Sequence, residues 1–75
     1  DLTSYAFGYK ISVQGLKSML HVLNTLESLP RVESVVLRSI TAKQVWVQIH
    51  YFGTSENLEE KMSHHNISFE KAFHE

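Results

Sequence analysis

The side chains with the widest chemical repertoire in this sequence are five histidines, three glutamates at Glu56, Glu59 and Glu60, scattered serines and one tryptophan, Trp46. Zinc-like metals take imidazoles at i, i+4 on one helix face, or pair them with cysteine thiolates. Here His64 and His65 are adjacent and point apart, His21 lies on the polar side of an amphipathic stretch, His50 lies in an alternating one, and there is no cysteine. No metal site and no cofactor is expected. The serines sit at segment ends without the Gly-x-Ser-x-Gly turn that exposes a nucleophile, so no catalytic set is expected and the chain reads as non-enzymatic. Glu56, Glu59 and Glu60 open a helical segment, where carboxylates offset the positive end of the helix and face water. Asn66-Ile67-Ser68 matches the glycosylation tripeptide, a match short enough to arise by chance. Gly15 stands alone before a helix, without the further glycines and Lys-Ser/Thr of a phosphate loop, and reads as the pivot of a tight turn.

Trp46 is the residue singled out. It takes an even position in Gln44 to Phe52, where Val45, Val47, Ile49 and Tyr51 occupy the odd ones. Strict alternation marks a half-buried strand, and it puts the indole on the side away from the core. A large aromatic there serves as a platform for a partner chain, a second copy or a flat ligand such as a sugar ring, unless neighbouring lysine and arginine stems cover it.

The elements that position these residues follow from the same periodicities. Tyr5, Phe7, Tyr9, Ile11 and Val13 alternate as a first strand. From Leu16 the apolar spacing changes to that of a helix, with Leu16, Met19, Leu20, Leu23 and Leu26 on one side and Lys17, His21, Asn24 and Ser28 on the other. Pro30 ends this helix by about Ser28. Val32 to Ile40 is rich in β-branched residues and reads as a second strand, with Val35 and Leu37 inward and Val36 and Arg38 outward. Thr41 to Lys43 link it to the Trp46 strand as a hairpin. Thr54 or Ser55 caps a second helix whose buried side is thin, mainly Leu58 and Met62, and which ends around His64 to Asn66. Ile67 and Phe69 make a short last strand, and the tail from Lys71 to Glu75 is expected to fray.

Strand, helix, strand, strand, helix, strand is the split β-α-β pattern, a ferredoxin-like α+β sandwich with a four-stranded antiparallel sheet in the order 4-1-3-2 and both helices on one face. The expected core joins Leu16, Leu20, Leu23, Leu58 and Met62 to Phe7, Ile11, Val35, Leu37, Val47 and Ile49. The uncovered face displays Ala6, Gly8, Lys10, Ser12, Val36, Arg38, Trp46, Gln48 and His50. Of these, Trp46, Gln48, His50, Arg38 and Lys10 form the candidate binding surface. The uncharged stripe His21, Asn24, Thr25 and Ser28 on the first helix, flanked by Lys17 and Glu27, is a second contact surface.

Seventy-five residues make one domain, and 43% hydrophobic with 20% charged residues is globular composition. A net charge of -1 with scattered Lys and Arg leaves no basic face for nucleic acid. No apolar run approaches the ~18 residues of a membrane span, so this segment is not expected to insert directly. The chain starts at Asp1 rather than Met, and the expectation is a piece of a longer protein.

The run Ile11-Ser12-Val13-Gln14-Gly15-Leu16-Lys17-Ser18, then Leu23, Leu26, Leu29-Pro30-Arg31-Val32-Glu33-Ser34-Val35 and the Val45 to Phe52 strand leading to Gly53, resembles a C-terminal domain of uncharacterised bacterial exported and envelope proteins. The resemblance spans about Tyr9 to Met62 and implies a place in the bacterial periplasm or envelope. Val13-Gln14-Gly15 is also similar to the Val-Gln-x-Gly strand end of sporulation-related repeat domains that bind peptidoglycan glycan strands, without the intervening residue. Tyr51-Phe52-Gly53-Thr54-Ser55 loosely resembles their second glycine-aromatic turn. Small amino-acid-binding regulatory domains share the glycine turn at Gly15 and its following helix. The expected function is therefore a protein-interaction or assembly module acting on a protein partner or a second copy, the alternative being a glycan-binding or small-ligand regulatory domain.

Overall fold

The computed structural model describes residues 3–72. Its elements are β1 (Tyr5–Ser12), α1 (Leu16–Ser28), β2 (Val32–Ile40), β3 (Gln44–Tyr51), α2 (Ser55–His64) and β4 (Phe69–Lys71). They form one antiparallel sheet in the order β2-β3-β1-β4, the ferredoxin-like arrangement that the element order requires. Tyr9, Ile11, Val45, Val47, Ile49 and Tyr51, the odd positions of the central strands, share one core with Met19, Val22 and Leu26 of α1 and Leu58 and Met62 of α2. Both helices therefore cover the same side of the sheet. No helix among the described residues is long and apolar enough to cross a membrane.

Local chemistry fixes the joints. Gly15 has φ +91° and ψ -177°, a region closed to residues with a Cβ, and its carbonyl accepts the first helical amide, that of Met19, at 3.0 Å. The same turn is braced by the hairpin link, where Gly15 N donates to the Ala42 carbonyl at 3.2 Å and Val13 N to that of Lys43 at 2.9 Å. Thr54 caps α2 by accepting from Asn57 N at 3.1 Å, with Glu56 in the first turn. At its other end Asn66 adopts φ +60°, and Ile67 N and Asn66 N donate to the carbonyls of Met62 and Ser63, both at 3.0 Å. This is a Schellman cap, with Ile67 buried beside Met62. Asn66 is thus the left-handed residue that ends the helix. In the tail, Lys71 belongs to β4 and Ala72 N donates to the Gly8 carbonyl at 2.9 Å, while residues 73–75 lie outside the described residues.

The core differs from the sequence expectation along one flank. Leu16 and Leu20, expected inside, are 68% and 50% exposed, Leu37 is 41% exposed, and Leu23 is only partly buried. Val22 takes their place. The apolar positions of α1 from Leu16 to Leu26 span an arc wider than the ~100° that a helix lying on one sheet buries. The helix settles with Met19, Val22 and Leu26 downward, followed by the buried Leu29, and leaves Leu16 facing Ile40 at the end of β2 and Leu20 exposed.

Candidate functional site

On the uncovered side of the sheet the pairing register assembles the expected surface. Lys10 and Ser39 flank Trp46, Gly8 and Val36 flank Gln48, and Ala6 and Ser34 flank His50. Arg38 lies at a bulge in β2 between Leu37 and Ser39 and donates from Nη1 to Gln48 Oε1 at 3.0 Å. All five candidate residues, Lys10, Arg38, Trp46, Gln48 and His50, are thus neighbours on one face. Four of the five already engage one another in pairs. The Lys10 ammonium lies 5.3 Å from the centre of the Trp46 ring, close enough for a cation-π contact, and the indole is half-buried. The face offers an aromatic plane, an amide and two cations, a set suited to stacking and hydrogen bonding once Lys10 swings aside.

The exposed flank of α1 builds a second surface that the sequence reading did not single out. Leu16 (68%) and Leu20 (50%) on α1 and Ile40 (52%) and Leu37 (41%) on β2 are the large aliphatic side chains left exposed on these two elements' helix side. A groove of about 280 Å³ runs between Leu16 and Met19 on one side and Ile40 to Ala42 on the other. Leu37 and Ile40 pair with Val47 and Val45, whose side chains lie under the helices, so both point to the helix side. Val36, 41% exposed, faces the opposite side of the same strand. The signal was present in the excess width of the apolar arc on α1, to which Val22 adds one more position than a single sheet contact consumes.

The two sheet edges differ in character. β4 is three residues long, carries Glu70 and Lys71, and is tied to α2 by Lys71 Nζ at 3.6 Å from Glu59 Oε2. β2 is nine residues long, carries Glu33 and Arg38 at its two bulges, and is regular between them from Ser34 through the apolar Val35, Val36 and Leu37. Short, charged edges resist further strand pairing, and long apolar ones invite it.

Titratable chemistry inside the fold centres on Tyr9. Its hydroxyl donates to Glu59 Oε2 at 3.0 Å, and Phe69 packs edge-on to its ring at 5.4 Å. Burial, and then the neighbouring Glu59 carboxylate, push the Tyr9 phenol far above the ordinary tyrosine range. Tyr51 is anchored likewise through its hydroxyl to Asn57 Oδ1. A wide groove of about 820 Å³ between α1 and the α2–β4 turn brings Ser18, His21, Lys43, His65 and Ser68 to one end of the sheet, His50 remaining apart on the open face. Among the described residues no three His, Asp or Glu side chains come together as metal ligands would. Comparison with protein-family models, with curated proteins and with solved structures finds no match for this chain.

Proposed function

We propose that this chain is a non-enzymatic protein-interaction or assembly module, and that its principal contact surface is the corner formed by Leu16 and Leu20 of α1 with Leu37 and Ile40 of β2. In this reading it works in the bacterial periplasm or envelope, a location that only the resemblance of residues 9–62 to domains of bacterial exported proteins suggests. One observation carries the reading: Leu16 and Ile40 line one groove between α1 and β2, and with Leu20 and Leu37 they make four large aliphatic side chains, 41–68% exposed, on α1 and a nine-residue edge strand in a chain of only 75 residues. Exposed aliphatic surface of that extent costs solubility and favours a place that another surface covers. The corner is favoured over the Trp46 face because Lys10 already covers the indole and Arg38 and Gln48 already hold each other.

A photo-reactive phenylalanine analogue placed at position 20, at position 40 or, as a control, at the exposed Glu60 of α2 tests this in the full-length protein in its own cells. Adducts are expected from positions 20 and 40 and not from 60. Absence of adducts at both corner positions, or equal yields at all three, overturns the assignment.

A further inference from the structure

We infer that the partner seated on this corner is a second copy of the chain, joined by antiparallel pairing of the two β2 edges about a two-fold axis, so that two four-stranded sheets become continuous. The inference rests on the reading of the corner as a contact surface and names its occupant.

Three properties of β2 single out a copy of itself. First, the edge is self-complementary. An antiparallel pairing centred on Val36 sets Val36 against Val36 of the partner subunit and Val35 against Leu37 of the partner subunit, twice by symmetry. Each is an aliphatic cross-strand pair on a common face, the kind that stabilises sheets. Second, the edge is charge-complementary to itself. Its two charged residues, Glu33 and Arg38, lie toward opposite ends of the strand. Antiparallel pairing brings each Glu33 end to the Arg38 end of the partner, whereas parallel pairing brings like charges together. Glu33 accepts from Ser4 Oγ at 2.7 Å and Arg38 donates to Gln48 Oε1 at 3.0 Å, so both charges lie turned back over their own sheet and act across the pairing as end charges rather than as a direct ion pair. Third, a two-fold axis perpendicular to the sheet keeps the helices of both copies on one side. The Leu16–Leu20 flank of α1, which overhangs β2, then meets the same flank of the partner's α1 across the axis.

The size suits a weak dimer. Leu16, Leu20, Leu37 and Ile40 on the helix side and Val36 on the open side offer, at their observed exposures, on the order of 400 Å² of apolar surface per copy, about half of what one partner of a standard interface buries. The backbone of the edge and the flanking Lys17, Glu33 and Arg38 bring the contact toward the ~800 Å² per partner of a standard interface. The other edge cannot substitute, because β4 pairs over three residues only and is charged.

Sedimentation equilibrium of the 75-residue chain over about 5 to 500 µM, the range in which an interface of this size is populated, is expected to show the 8.7 kDa species giving way to its dimer. Leu20→Ser and Leu37→Lys should each weaken association at least about tenfold. Charge exchange tests the pairing itself. Glu33→Arg alone and Arg38→Glu alone each oppose like charges twice and are expected to be monomeric, while an equimolar mixture of the two variants restores complementarity and dimerises. A wild-type chain that stays at 8.7 kDa throughout overturns self-pairing, and cross-links from position 20 to a different protein then leave the module reading standing. A wild-type dimer that ignores Leu37→Lys, or a mixture that stays monomeric, overturns the β2 pairing. Circular dichroism of each variant confirms the fold before any loss of association is counted.

Discussion

At the scale of single residues, Tyr9 and Gly15 carry constraints that their neighbours do not. Tyr9 is almost fully buried and its hydroxyl is held by the Glu59 carboxylate, so the fold favours the protonated phenol. An acid whose folded value lies above its unfolded one stabilises the fold below the unfolded value, about pH 10, and loses that contribution as pH rises further. Stability from urea unfolding is therefore expected to fall as pH rises above about 10, and Tyr9→Phe to remove part of that slope. At neutral pH the same substitution costs about 1 kcal/mol for the lost hydrogen bond. Equal slopes in the two proteins would assign the alkaline sensitivity elsewhere. Gly15 is constrained by its backbone alone, since nothing lies within 4 Å of where its Cβ would stand. Gly15→Ala has room but not the dihedral freedom, so it should cost about 1–3 kcal/mol of stability, read as a lower denaturant midpoint. A neutral result would mean that the strand-to-helix turn has another geometry. Gly53 is held by contact instead, because a Cβ there would come within 2.9 Å of the Tyr51 ring.

At the scale of elements, α1 shows what alternation and helical spacing can and cannot reveal. Strand parity in β1 and β3 is unambiguous because each strand has a clean apolar and a clean polar face. That parity alone places Lys10, Trp46, Gln48 and His50 together on the uncovered side. The ends of α1 and α2 are equally legible from Pro30, Thr54 and the change of period. The rotation of α1 is not, because its apolar arc is wider than its contact. Which half is buried depends on where the helix crosses the sheet, a choice made by the packing of Val22, Leu26 and Leu29 rather than by any property of the helix. The corner built from Leu16, Leu20, Leu37 and Ile40 was hidden for that reason. The two halves of the arc should behave differently under truncation. Leu26→Ala, at a fully buried position, is expected to cost about 2–5 kcal/mol. Leu20→Ala should change monomer stability by no more than about 0.5 kcal/mol at low protein concentration. Similar losses at the two positions in chemical unfolding would contradict the observed rotation.

At the scale of the whole molecule, a domain of 75 residues without a disulfide has little stability to spare, and leaving a quartet of large aliphatic side chains outside the core makes its hold weaker still. Association through the β2 edge would couple that exposed surface to folding, because a partner that binds only the folded chain stabilises it by mass action. At tenfold over its dissociation constant such a partner contributes about 1.4 kcal/mol. In a domain of this size that moves Tm by roughly 5–10 °C. The wild-type chain should accordingly melt higher as its concentration is raised a hundredfold. Leu37→Lys, with a lysine at the sheet edge, should melt at one temperature throughout, because the charge keeps the edge unpaired without touching the buried residues of β3. Scanning calorimetry at several concentrations separates the two cases. A concentration-independent wild-type Tm would mean that folding and the exposed corner are uncoupled, and that the aliphatic side chains of α1 and β2 serve a partner other than the chain itself.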